Sequence, residues 1–279
     1  MSGKNKKKRT FADVLLTLIL VAAIGVFCFA GVKLGKIYLE YKAGSDEYSD
    51  LADLAVTTND TEDSGAKERD IVDMEAAPDP NAPVKAPIKV DFDALRAVNE
   101  DVIGWIYVEA LADTINYPVV HGKDNDEYLH MTYHRNYNFA GTIFIDCANN
   151  TDFNDCNTLV YGHNMKNGSM FGLLKRFVST EKTYEDSKYF WILTPTKNYR
   201  YEIIAAYTTG VTSDTYTLFD NPGEKFEDYL RKISTRSEIK TTPGDLTIDD
   251  RIVTLSTCTG NYATRFVVQG KRVDEVDVE

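Results

Sequence analysis

Hydrophobic and polar positions fall into three successive patterns along this chain. Residues 14–32 form a run of nineteen without a charge, with Thr17 as the only conventional polar interruption. As a helix that run is roughly 28 Å long, close to the ~30 Å hydrocarbon core of a bilayer, and it predicts one membrane span. Over 44–90 the apolar periodicity disappears, acidic residues crowd together, and Pro78, Pro80, Pro83 and Pro87 follow in quick succession. Such a segment buries too little surface to offset its chain entropy and reads as a tether, with a short amphipathic continuation of the span through Leu51 and Leu54 as the alternative for its first part.

From Asp91 the pattern becomes that of a folded domain. Asp91 stands as an N-cap before Leu95, Val98 and Val102 at helical spacing. Eight segments then follow that are rich in β-branched and aromatic residues: 103–108, 114–121, 141–146, 158–162, 189–194, 199–208, 251–257 and 265–273. Turn formers separate many of them. Eight short strands in about 190 residues predict a mostly β fold, closed or nearly closed into a barrel. Two helical insertions are expected. Ser169 caps one over 170–177, and Asn221-Pro222 opens another whose Phe226, Tyr229, Leu230 and Ile233 share a face that packs on the barrel.

Charge sharpens this division. The net value is +6 over 1–43, −8 over 44–90 and −10 over 91–279. A folded domain of that sign repels phosphate backbones, which excludes a nucleic-acid partner. Five basic residues precede the span within 4–9, while Lys33, Lys36 and Lys42 follow it among acidic residues, so the N-terminus is expected on the cytoplasmic side and the bulk of the chain outside. A cleaved signal peptide is the rival reading, but the apolar run exceeds the usual signal length and the Ala30-Gly31 region is a poor cleavage site. Cys28 reads as a lipid-facing cysteine, since Phe27 before it is too large for a lipoprotein site. The resulting division is a basic cytoplasmic N-terminus (1–13), a transmembrane helix (14–32), an acidic, Pro-containing extracellular stalk (33–90) and a folded domain (91–279).

Candidate chemistry centres on cysteine and histidine. Outside the span stand Cys147, Cys156 and Cys258. One reading pairs Cys147 with Cys156; the other leaves three thiols. Cys258 ends a predicted strand, where a thiol is accessible, and Arg265 opens the next strand seven residues later. Hairpin pairing of the two strands brings the guanidinium back toward the sulfur. Of His121, His130, His134 and His163, the last ends a strand at a glycine-permitted turn, Gly162-His163, whereas the other three lie in a polar stretch where solvated histidines are common.

Leu159-Val160-Tyr161-Gly162-His163-Asn164-Met165, with Thr254-Leu255-Ser256-Thr257-Cys258 and the following Arg265, resembles the sortases, cysteine transpeptidases of Gram-positive cell surfaces. Asn99-Glu100-Asp101-Val102-Ile103-Gly104-Trp105-Ile106, Tyr117-Pro118-Val119-Val120, Asp126-Glu127-Tyr128-Leu129 and Gly141-Thr142-Ile143-Phe144-Ile145-Asp146 extend the likeness over about 91–273. The helical preface at 92–99, the helix at 222–234 before the penultimate strand, and Gly168-Ser169-Met170-Phe171 make it most similar to class B.

The resemblance implies an eight-stranded sortase-type barrel with an N-terminal helix and an inserted helix. It also implies Cys258 as nucleophile, His163 as acid/base and Arg265 as substrate or oxyanion clamp, although the Cys-to-Arg interval is often longer in the family. Asn164, Thr257 and the Thr259 N–H are the substrate-binding candidates. A thiol of ordinary acidity is only a few per cent thiolate at neutral pH, so the site must favour the anion, as Arg265 and a protonated His163 both would, or tolerate a small active fraction. The thiolate cleaves a C-terminal sorting signal of a secreted protein, and an amine resolves the thioacyl enzyme. That amine belongs to a peptidoglycan precursor or, alternatively, to a pilin lysine. Pro78-Asp79-Pro80 is similar to the lid of some pilin sortases, but Asn81 stands where an aromatic is expected. A non-catalytic surface binding domain is the reading from another class, and a cysteine hydrolase is disfavoured because common cell-wall peptidases place Cys before His. No cofactor and no metal site is expected, because the acidic residues are scattered.

Overall fold

The apolar run lies in α1 (Phe11–Ala55), which continues well beyond it. It is the one helix among the described residues long and apolar enough to cross a membrane. The structure, a computed structural model, describes residues 10–58, 84–241 and 244–278. It divides into two units, Met1–Ala43 and Gly44–Glu279. In the second unit the end of α1 takes the amphipathic helical alternative to a tether: Gly44, Tyr48, Leu51 and Ala55 are buried at spacings of four, three and four, one helical face, while Leu54 is exposed. The stripe is present in the sequence, but Asp46, Glu47, Asp50 and Asp53 lie between its members and mask it. The chain then enters β1 (Val56–Thr58), which pairs antiparallel with β2 (Ile88–Val90). The basic residues at 4–9 and the prolines at 78, 80 and 83, with Asn81, lie outside the described residues.

Next comes α2 (Phe92–Val98), where the Asp91 carboxylate accepts from the Ala94 N–H at 2.9 Å, the expected cap. Eight strands in one sheet leave two bare edges unless the sheet closes. Here it closes. In chain order the strands are β3 (Val102–Val108), β4 (Asn116–Val120), β5 (Ile143–Ile145), β6 (Asn157–Tyr161), β7 (Tyr189–Leu193), β8 (Lys197–Gly210), β9 (Ile252–Cys258) and β10 (Thr264–Asp277). Around the barrel the order is β10-β8-β7-β3-β4-β5-β6-β9. All eight predicted strands are present. Two neighbouring pairs, β4 with β5 and β6 with β9, are parallel, which requires long crossovers. One crossover carries 121–142. The other carries two short helices, α3 (Arg176–Ser179) and α4 (Glu181–Asp186), then β7, β8 and α5 (Glu224–Arg236).

α5 sits where the inserted helix is expected. Its Phe226, Tyr229, Leu230 and Ile233 are buried against Ile204, Tyr207, Ile252 and Val267. The helix expected over 170–177 does not form. Ser169 turns its hydroxyl to Asn167 rather than capping, Met170 takes a φ of 53°, and the Phe171 N–H reaches back to the His163 carbonyl at 3.0 Å. Those donors are spent on turns, and helix begins only at Arg176.

Candidate active site

The parallel register of β6 and β9 sets Tyr161 opposite Ser256. Two residues further along each chain stand His163 and Cys258, so strand pairing alone brings the imidazole and thiol positions to one end of the barrel. β10 then returns antiparallel with Arg265 as the direct partner of Cys258. Opposed residues in such a pair project from the same face with Cβ atoms about 5 Å apart. The interval of seven is therefore the length of a tight hairpin, turned at Gly260 with a φ of 88° and tied at its base by the Thr259 and Thr264 hydroxyls at 2.6 Å. Cys258, His163 and Arg265 line a cleft of about 270 Å³ with Leu129, Phe144 and Tyr161.

His163 is held by its Nε2, 2.7 Å from the Leu129 carbonyl. A carbonyl only accepts, so Nε2 carries a proton in either charge state and Nδ1 is the basic nitrogen. Burial pushes the imidazole below its ordinary value; the Leu129 bond opposes this, and His130, stacked on the ring with centroids 5.4 Å apart, adds to it. Gly162 before it is required for space, because a Cβ would stand 2.5 Å from Ile143 Cδ1 and 2.7 Å from Phe171 Cδ2.

The secondary site candidates join the two strand ends. Asn164 Nδ2 donates to the Cys258 carbonyl and the Thr257 hydroxyl donates to the Gly162 carbonyl, both at 2.7 Å. Thr259 follows directly after β9. Arg265 donates through Nη1 to the carbonyls of Tyr262 at 3.1 Å and Thr264 at 2.9 Å. All four cysteines are free thiols, with Cys156 buried and Cys147 half-buried, so no Cys147–Cys156 bridge closes the 147–156 loop.

A carboxylate missed by sequence reasoning braces one wall of the cleft. Asp146 Oδ2 accepts from the Tyr161 hydroxyl and from Asn125 Nδ2, each at 2.9 Å. Burial, reinforced by Asp146, pushes the Tyr161 phenol far above its usual range and keeps it a donor. Tyr161 lies two residues before His163, so the motif contained it. The Leu129 carbonyl is main chain and has no residue signature.

Across this region, residues 106–273 match the model of the sortase domain. The chain belongs to the sortase family. Among sortases it is 35% identical to sortase B of Listeria monocytogenes over 96% of this chain and 99% of that protein. Its fold is similar to the crystal structure of Clostridium perfringens sortase B, with a TM-score of 0.60 and 38% identity over 66% of this chain and all of that one. It is also similar to Bacillus anthracis sortase B, with a TM-score of 0.63 and 32% identity over 85% and 99% of the two chains. This sortase is a class B-type cysteine transpeptidase, and the binding-domain reading falls away.

Proposed function

We propose that this enzyme is anchored by 14–32 with its N-terminus in the cytoplasm, and that it cleaves a sorting signal of an Asn-Pro-x-Thr-Asn-like kind for transfer to an amine of a peptidoglycan precursor. One observation carries the assignment of roles: the β6–β9–β10 register places His163, Cys258 and Arg265 on three adjacent strand ends around one cleft.

The Cys258 thiolate attacks the carbonyl carbon of the signal's threonine, and a sulfur–carbon bond forms. The carbon–nitrogen bond then breaks, and protonated His163 gives the leaving amine its proton through Nδ1, since Nε2–H is held by Leu129. An incoming amine attacks the thioester, its proton passes to His163, and the Cys258 sulfur leaves. Both tetrahedral oxyanions need donors. The Thr259 N–H and Arg265 serve, and loss of one such donor typically costs about 10²–10³ in rate. Arg265 uses Nη1 for the hairpin carbonyls, which leaves Nε and Nη2 for the substrate oxygen. Asn164 and Thr257 act by holding the His163 and Cys258 strand ends together.

Residues 44–279 are expected to form a hydroxylamine-labile thioacyl adduct with a sorting-signal peptide, seen by mass spectrometry, and Cys258→Ala to abolish it. Full transfer by that variant defeats the assignment. Offering a peptidoglycan-type amine beside a lysine side chain in the same assay decides the acceptor: preference for lysine overturns the cell-wall reading in favour of pilus assembly.

A further inference from the structure

We propose that Tyr48, near the end of α1, is a positioning residue for His163. It is buried although the sequence places it in an acidic stalk, and it braces the segments on both sides of the imidazole.

The first connection runs through its hydroxyl, which donates to the Gly141 carbonyl at 2.6 Å and lies 3.0 Å from the Thr142 hydroxyl. Gly141 takes a φ of 59° and presses so closely on the preceding turn that a Cβ would stand 2.5 Å from the Leu129 oxygen and 2.6 Å from that of Tyr128. Thr142 locks the same turn, its N–H donating to the Tyr128 carbonyl and its hydroxyl to that of Met131. The Leu129 oxygen is the group that receives His163 Nε2–H. Tyr48 thus holds the strand end against which the carbonyl that fixes the imidazole is packed.

The second connection runs through the ring. Tyr48 meets Tyr117 edge to face, with centroids 5.3 Å apart. The Tyr117 hydroxyl accepts the Met170 N–H at 3.2 Å. Met170 bridges to Asn164, which holds the Cys258 carbonyl, and the next N–H, that of Phe171, binds the His163 carbonyl. A side chain needed only to fill space would require neither its hydroxyl nor contact with both loops. Without the hydroxyl the Leu129 turn loosens, the ring is no longer confined to the Nε2–H tautomer, and Nδ1 ceases to be the committed proton carrier. The loss should fall on turnover more than on substrate binding.

This inference rests on His163 as acid/base, so its test uses one readout independent of activity. The full chain in detergent micelles, with its histidine rings labelled with nitrogen-15, is compared with Tyr48→Phe, Glu47→Gln and His163→Ala. Tyr48→Phe is expected to lower kcat about five- to tenfold with KM within about twofold. The His163 ring nitrogens should move from the separated values of a single tautomer toward averaged ones. Glu47→Gln, on the same helix but facing His134 at 2.9 Å, should keep both at wild-type values. Wild-type kcat in Tyr48→Phe, or lowered kcat with unmoved ring nitrogens, overturns the proposal, as does a loss that merely follows unfolding in a thermal melt. Turnover retained by His163→Ala defeats the acid/base assignment instead, while the ring signals still report whether Tyr48 orients the imidazole.

Discussion

At the scale of single residues, the proton on His163 decides how the cleft works. Burial depresses its pKa from the ordinary 6.5, and the stacked His130 depresses it further because two imidazolium rings repel. The protonated acid is therefore scarcer at neutral pH than on a solvated histidine, and the acid limb of kcat/KM is expected below 6.5. His130→Gln removes the repelling neighbour, so His163 should hold its proton to higher pH and the acid limb should move upward. A pH series on peptide cleavage reads this directly; an unmoved limb would show that the stacked ring does not govern the proton on His163. Cys258, His163 and Arg265 were legible because reactive side chains at strand ends leave a residue pattern. The tautomer was not legible, because it is set by the main-chain oxygen of Leu129. His130 sits in a polar stretch that reads as solvated in sequence, whereas its ring stacks on His163.

At the scale of elements, a buried polar network joins the strands bearing the site to the helix outside them. Gln269 on β10 donates to the Tyr229 hydroxyl of α5 at 2.5 Å and to Thr254 of β9 at 2.9 Å, and accepts from Tyr207 of β8 at 2.9 Å. Replacing it with leucine leaves buried hydroxyls short of partners, so Gln269→Leu should cost roughly 2–3 kcal/mol of unfolding free energy, measured from denaturant midpoints. Arg231→Ala breaks only the exposed pairs with Glu227 and Asp228 and should leave the denaturant midpoint almost unchanged. Equal effects would mean the network is not what holds α5. The eight strands were legible because β-branched and aromatic residues cluster between turn formers, and α5 because its four anchors repeat with helical period. The 170–177 segment is non-helical at its start for a tertiary reason: the Met170 N–H is held by the Tyr117 hydroxyl and the Phe171 N–H by the His163 carbonyl, with Met170 at a φ of 53° that no helix allows.

At the scale of the whole chain, the composition changes at Asp91, whereas the packing starts at Gly44. Tyr48, Leu51 and Ile88 are almost wholly buried, and the Asp91 N–H donates to the Ala55 carbonyl at 2.8 Å. Burying a large apolar side chain contributes about 1.5–3 kcal/mol, an upper bound because the unfolded chain is itself partly collapsed. Three such residues amount to several kcal/mol before the ordering of the helix end is subtracted, against a total stability of roughly 5–15 kcal/mol for a typical domain. A chain beginning at Asp91 should therefore retain the barrel, whose closed hydrogen bonding does not involve α1, but melt several degrees below one beginning at Gly44. The loss should be local as well as global. Amides of 131–142, which lie against Glu47 and Tyr48, should exchange with solvent faster in the shorter chain, while those of β9 and β10 change least. Identical melting and identical exchange in the two chains would return 44–90 to the role of a passive stalk.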